Sequence, residues 1–211
     1  GNGGGTFLQA LEISDEFLGK DSVIVSIKGR KPYYNQELRA ELDNQYEDLP
    51  LIILISRGTA SAPEIVSGAI QDNDRGLVIG DDSWGKGLVQ TVFPLAADAA
   101  VALTTARYYT PSGRSIQRDY SIYEDYRMGR NETPESEREV RFTIGGRKVL
   151  GGGGISPDYK LRNAYKNLTY LLLLRGTIFA YVRELVGEDS RRASDLLGGP
   201  IDRNFRSDDR V

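Results

Sequence analysis

The sequence predicts an α/β fold, on three observations. Residues 49–56 (LPLIILIS) are nearly all apolar, as a strand buried on both faces should be; residues 62–70 repeat their apolar positions at helical spacing; and residues 77–79 (LVI) form a second short apolar run. A strand, a helix and a strand in immediate succession are the unit of an α/β sheet. The 211 residues suit one main domain with appendages.

The elements follow in order. The chain opens on Gly1-Asn2-Gly3-Gly4-Gly5 without a Met, so it is expected to be a fragment that lacks its true start. Phe7, Leu8, Leu11 and Phe17-Leu18, widened by Ala10 and Ile13, predict a helix over residues 6–18, stopped at Gly19. Residues 22–28 are rich in β-branched side chains and read as a strand. Residues 32–48 are charged and tyrosine-bearing, a solvated connection. The 49–56 strand is expected to be central and parallel, and residues 89–95 and 100–109 alternate as strands do.

Residues 1–120 therefore form the expected core. Residues 121–139 are dominated by charge and read as a mobile insertion. Residues 140–160 hold a return strand and the Gly151-Gly152-Gly153-Gly154 turn, and residues 161–211 a C-terminal helix and tail. The apolar face within 168–186 fits a helix closing the core better than a dimer contact, because such faces usually serve a core. The oligomeric state is left open.

Composition excludes several classes of function. The net charge is −3 with no sustained basic run, so the footprint of a nucleic-acid binder is missing. The apolar run at 168–174 is far short of the roughly 20 residues of a membrane-spanning helix. Histidine and cysteine are both absent, which removes the Ser-His-Asp arrangement, thiol nucleophiles, disulfides and the usual zinc ligand sets. Covalent catalysis would run on Ser, Thr, Lys, Asp, Glu or Tyr, without metal or cofactor.

Two segments carry candidate chemistry. In Gly80-Asp81-Asp82-Ser83-Trp84-Gly85-Lys86-Gly87 the lysine fits three motifs. A phosphate-cradling loop would need a hydroxyl residue after the lysine and then a helix, where this chain has Gly87 and a strand pattern. Ser83-x-x-Lys86 has the spacing of penicillin-recognising hydrolases, but Gly85 and Gly87 disfavour the helix that chemistry needs, and no Lys-Thr-Gly follows. The third motif pairs Lys86 with Ser61 in Thr59-Ala60-Ser61-Ala62-Pro63-Glu64-Ile65. There a strand ends and a helix begins, so free backbone N–H groups and the positive dipole end favour a developing oxyanion. Ser61-x-x-Glu64 equally spells a helix-capping box.

Together these segments resemble the carboxyl-terminal processing (tail-specific) serine peptidases. The likeness runs from Gly3-Gly4-Gly5 through 59–65, Gly76-Leu77-Val78-Ile79-Gly80 and Gly85-Lys86-Gly87-Leu88-Val89-Gln90. It continues through Leu103–Gln117 and Gly153-Gly154-Ile155-Ser156-Pro157-Asp158. The resemblance implies a crotonase/ClpP-like fold and peptide-bond cleavage in protein or peptide substrates, near carboxyl termini. It makes Ser61 the nucleophile, Lys86 the general base and Gln90 the residue that orients it. Its oxyanion donors are the N–H of Ala62 and of Gly4 or Gly5. A periplasmic or cell-envelope location follows by the same resemblance. The family's PDZ domain is not in this chain; Gly3 stands where a proline is common, and Pro63 where a small residue is usual.

A lysine base must lose its proton. Trp84 and the flanking glycines are expected to desolvate the Lys86 amine, with Asp81 and Asp82 pointing away. Tyr108, Tyr109, Arg107 and Arg114 could line a peptide groove or merely pack. The competing class is a non-catalytic peptide-binding or scaffolding relative; loss of Ser61, Lys86 or Gln90 would mark it, and all three are present.

Overall fold

The helix that begins at Ala62 is placed by two flanking strands, and at its amino end Ser61 has a positive φ, as only Asp21 and Asp74 also do among the described residues other than glycine. A computed structural model describes residues 1–42, 46, 48–96, 99–122, 124, 127–128 and 133–161. The chain divides into two units, Gly1–Arg162 and Asn163–Val211. The second unit, and with it the predicted C-terminal helix and tail, lies outside the described residues, as does part of the 121–139 segment.

Within the first unit, α1 (Phe7–Asp15) starts where the Thr6 hydroxyl accepts the N–H of Gln9 at 3.3 Å, an N-cap. The helix is shorter than the apolar pattern: Phe17 and Leu18 lie beyond it, with Leu18 fully buried as the chain turns towards β1 (Val23–Gly29). The connection after β1 is not wholly irregular. A 3₁₀ turn at Pro32–Tyr34 leads into β2 (Gln36–Arg39), whose mostly polar and exposed side chains conceal from sequence reading that it pairs antiparallel with β1.

β3 (Ile52–Ile55), α2 (Ala62–Asp72) and β4 (Leu77–Gly80) form the expected unit, with β3 and β4 parallel. Among the described residues β3 is not central, however. The sheet order is β3-β4-β9, with β9 at Tyr159–Lys160, and Ile52 and Leu54 on the end strand are exposed. A second sheet, ordered β2-β1-β6-β5, contains the long antiparallel hairpin of β5 (Leu88–Pro94) and β6 (Ala100–Tyr109). A short hairpin of β7 (Val140–Phe142) and β8 (Lys148–Leu150) precedes the glycine-rich turn.

The larger core packs α1 and α2 on the second sheet: Ala10, Leu18, Ile24, Val25, Ile65, Ala69 and Ile70 are all buried, and Phe7 stacks on Tyr108 at 5.7 Å. Ile55, Val78, Ile116 and Ile155 form a smaller core under β3 and β4. At the carboxyl end of α2 lies a fully buried ion pair, Arg114 to Asp72 at 2.8 Å. The same guanidinium donates to Gln71 Oε1 and to the Leu150 carbonyl. Arg114 therefore packs the interior and lines no groove. No helix among the described residues is long and apolar enough to cross a membrane.

Candidate active site

Ser61 occupies the junction of the β3 strand end and α2 with φ 64° and ψ −119°. A left-handed conformation in a residue with a Cβ costs on the order of 1–3 kcal/mol and persists only where its surroundings enforce it. Here the enforcing group is Glu64. Its Oε2 accepts the Ser61 N–H at 2.7 Å, half of a capping box. The reciprocal contact of the box runs from the Glu64 N–H to the Ser61 side chain, and the same N–H donates to the Ser61 carbonyl at 2.8 Å. The capping box that the Ser-x-x-Glu spacing spells is therefore formed.

The Glu64 carboxylate also holds the lysine loop. Oε2 accepts the Lys86 N–H at 3.0 Å, and Oε1 accepts the Gly85 N–H at 2.7 Å and the Ser83 hydroxyl at 2.5 Å. Glu64 is 0% exposed. Burial pushes its carboxyl above the ordinary carboxylate range, and the hydrogen bonds from Ser83, Lys86, Gly85 and Ser61 pull the other way. Sequence reading assigned Glu64 to helix capping only; the Ser-x-x-Glu spacing was the signal, and the loop it also ties down was not visible in it.

Every N–H from Ser83 to Gly87 is satisfied: Ser83 by the Ile155 carbonyl, Trp84 by the Thr59 carbonyl, Gly85 and Lys86 by Glu64, and Gly87 by Gln117 Oε1 at 2.7 Å. Arg118 lies over the Trp84 ring at 5.6 Å and donates to the Ser83 carbonyl. Neither a phosphate loop nor a Ser-x-x-Lys helix exists here. Leu88 begins a strand, and the buried Ser83 hydroxyl is spent on Glu64 while accepting from the Ile155 N–H.

The Lys86 side chain, by contrast, is exposed, so Trp84 and the glycines do not bury it as expected. The loop backbone turns the side chain outward while the fixed N–H groups face the interior. No hydrogen bond joins its amine to the Ser61 hydroxyl among the described residues. Lys86 lies in a cavity of about 490 Å³ together with Trp84, Leu88, Gln90, Thr104 and Tyr120. Gln90, also exposed, therefore shares the lysine's cavity. The two nearby carboxylates do point elsewhere: Asp81 pairs with Arg57 at 3.1 Å, and Asp82 with Lys160 at 3.0 Å.

The glycine cluster lies over the serine. A Cβ on Gly4 would be 3.8 Å from the Ser61 Cβ, and one on Gly5 would be 3.8 Å from the Ala62 Cβ. Ala62, the first residue of α2, has no intrahelical acceptor for its N–H. Gly4 donates to Asn2 Oδ1 at 3.2 Å, whereas among the described residues Gly5 N–H has no such acceptor, which makes Gly5 the freer donor there. Gly4, Gly5 and Ala62 border a cavity of about 460 Å³ whose other walls include Ala10, Ile13, Ile53 and Val66, with no charged side chain lining it. The two cavities share no lining residue.

Residues 1–128 match the family model described as peptidase family S41. The chain is 41% identical over 195 residues to the carboxy-terminal-processing protease of Bartonella bacilliformis, covering 84% of this chain and 43% of that protein. It is 36% identical to the chloroplastic C-terminal processing peptidase of Tetradesmus obliquus, covering 56% of this chain and 25% of that one. Among solved structures it is similar to a photosystem II D1 C-terminal processing protease, with a TM-score of 0.54 and 30% identity over 76% of this chain and 32% of the other. The chain thus spans less than half the length of these relatives.

Proposed function

The chain belongs to peptidase family S41, and from that premise we propose that it hydrolyses peptide bonds near the carboxyl termini of protein substrates, with Ser61 as nucleophile and Lys86 as general base. The observation that carries this reading is the Glu64 carboxylate, which receives the backbone of both Ser61 and Lys86 and so fixes the two candidate reacting residues to one point.

In the proposed reaction the Ser61 hydroxyl attacks the substrate carbonyl and gives its proton to the neutral Lys86 amine. The carbonyl oxygen becomes an oxyanion held by the N–H groups of Ala62 and Gly5. As the tetrahedral intermediate collapses, the C–N bond breaks, the lysine returns the proton to the leaving amine, and an acyl-Ser61 ester remains. Water, deprotonated by Lys86, then releases the acid and restores the serine. Gln90, which lines the lysine's cavity, would direct the amine with a neutral acceptor. The amine must be neutral to accept the proton, so a substrate that covers the exposed lysine would promote the reaction by excluding water.

The two separate cavities suggest how a substrate lies. The leaving amine must reach Lys86, so the residue after the cut occupies the lysine's cavity. The side chain before the cut, next to the oxyanion donors, enters the uncharged cavity and is best matched when aliphatic. A crotonase/ClpP-like core and a periplasmic or cell-envelope location belong to this proposal and rest on family resemblance.

The exposure of Lys86 favours a second reading, a non-catalytic peptide-binding relative. Labelling by a fluorophosphonate probe and casein digestion, with Ser61→Ala and Lys86→Ala as controls, separate the two. Labelling and cleavage lost in both variants support the peptidase; equal signals from wild type and Ser61→Ala would rule it out.

A further inference from the structure

We propose that Ser83 is a positioning residue that couples the glycine-rich turn at residues 153–155 to the nucleophile turn, acting through Glu64. This inference rests on Ser61 being the nucleophile and adds a part of the chain remote from it.

The coupling is a continuous buried chain of hydrogen bonds. The Ile155 N–H donates to Ser83 Oγ at 2.6 Å, and the Ser83 hydroxyl donates to Glu64 Oε1 at 2.5 Å. On the other carboxylate oxygen Glu64 accepts the Ser61 N–H at 2.7 Å. Ser83, Glu64 and Ile155 are each 0% exposed, so water replaces none of these bonds. The polarity is also determined. A hydroxyl has one proton, Ile155 can only donate through its N–H, and the carboxylate prefers to accept, so Ser83 must point its proton at Glu64.

The turn is pressed onto Ser83 from a second direction. The Ser83 N–H donates to the Ile155 carbonyl at 3.0 Å, which closes a two-way pairing between these residues. Gly154 has φ 85°, and a Cβ there would stand 2.6 Å from both Ser83 O and Ser83 Oγ. Only glycine allows that approach. A buried hydroxyl must find partners in any case; what sets Ser83 apart is that one of its two bonds goes to the carboxylate that receives both Ser61 and Lys86. In a low-dielectric interior, removing one link leaves the neighbouring groups underbonded and shifts them. Displacing a reacting group by about 1 Å can cost about a hundredfold in rate.

The test measures peptide hydrolysis by the intact protein, with thermal melting to establish folding. Ser83→Ala should lower kcat by about tenfold to a hundredfold with KM little changed. Ser83→Thr, which restores the hydroxyl, should recover most of that loss. Gly154→Ala, which pushes on Ser83 from the turn, should lower kcat similarly in the wild type but add little in the Ser83→Ala background. Should Ser83→Ala not fold, Ser83→Cys, with similar size and a weaker donor, takes its place with the same expected kcat loss in smaller measure. Wild-type kcat in Ser83→Ala, or independent multiplying losses from the two sites, would overturn the coupling. Fluorophosphonate labelling of Ser61 keeps the readings apart: unchanged labelling in Ser61→Ala defeats the nucleophile, whereas labelling lost in Ser61→Ala with wild-type kcat in Ser83→Ala defeats only the coupling.

Discussion

Ser61 and Lys86 are joined through their backbones: both amide N–H groups donate to the same carboxylate oxygen, at 2.7 and 3.0 Å. The acceptor, Glu64, takes four donors in all, with both oxygens doubly used. Glu64→Gln would present an amide NH₂ to two of those donors. Hydrogen bonds to charged groups contribute about 1.5–3 kcal/mol each, so the variant should be destabilised by about 3 kcal/mol and lose Ser61 labelling. Chemical denaturation and probe labelling check both.

Replacing Ser61 separates strain from chemistry. Ala retains the Cβ and with it the strained φ of 64°, whereas Gly relieves it. Strain of about 1–3 kcal/mol set against a glycine entropy cost of about 0.5–1 kcal/mol leaves Ser61→Gly more stable than Ser61→Ala by about 1 kcal/mol. Neither variant should hydrolyse peptides. Paired thermal melts give the comparison.

Much of this was legible in advance. Strand β3, helix α2 and strand β4 announce themselves by apolar runs and helical spacing, whereas Ser61, Lys86 and Gln90 are proposed from local motifs and family likeness. What escaped was relational. β2 carries one apolar residue, Leu38, among three polar ones, too little for an alternating pattern, so only its pairing with β1 makes it a strand. Glu64 looks like a cap because a cap needs only its own helix, while its bonds to Gly85 and Lys86 depend on the tertiary fold. The desolvation expected of Lys86 failed for a related reason: Trp84 is nearby in sequence, but its ring lies against Arg118.

The buried Arg114–Asp72 pair should be costly to break from one side. Asp72→Ala leaves an arginine of 0% exposure without its counter-charge, and such losses run to about 3–5 kcal/mol. Reduced melting temperature, with the loss partly relieved by a second Arg114→Met change, is the expected result.

Acid sensitivity has an identifiable contributor in Asp74, just beyond the carboxyl end of α2. Burial would raise the Asp74 carboxyl, but bonds from Arg147, the Gly145 N–H and the Thr143 side chain hold it below its ordinary 3.8. A lowered carboxyl stabilises fully above its unfolded value, and that share disappears as pH falls through the folded value. The stability gap between wild type and Asp74→Asn should therefore close as pH falls below 3.8. Comparing the two isolates the effect, since Glu64, raised by burial, contributes with the opposite sign: its share is complete below its unfolded value and lost as pH rises through the folded one. Melts of both proteins between about pH 2 and pH 6 provide the test.

The uncharged cavity predicts selectivity. Ile13 lines it and is half exposed, so a charge there should be tolerated by the fold. Ile13→Lys should reduce kcat/KM for peptides with an aliphatic residue before the cut by about tenfold, the scale of one lost apolar contact. Labelling by a small fluorophosphonate should stay unchanged. A panel of peptides differing at that one residue measures this.

The lysine loop has all five of its N–H groups fastened while the Lys86 side chain points into solvent. If, as proposed, Lys86 is the base, the fixed loop leaves side-chain torsions to bring its amine to the serine, and freezing them costs at most about 2 kcal/mol. Rotamer exchange of exposed side chains takes picoseconds to nanoseconds, against microseconds or longer for collective loop or domain motion. On the proposed reading, assembling the reacting pair is too fast to limit turnover, and the slow steps are left to the bond-making chemistry and to substrate capture and release.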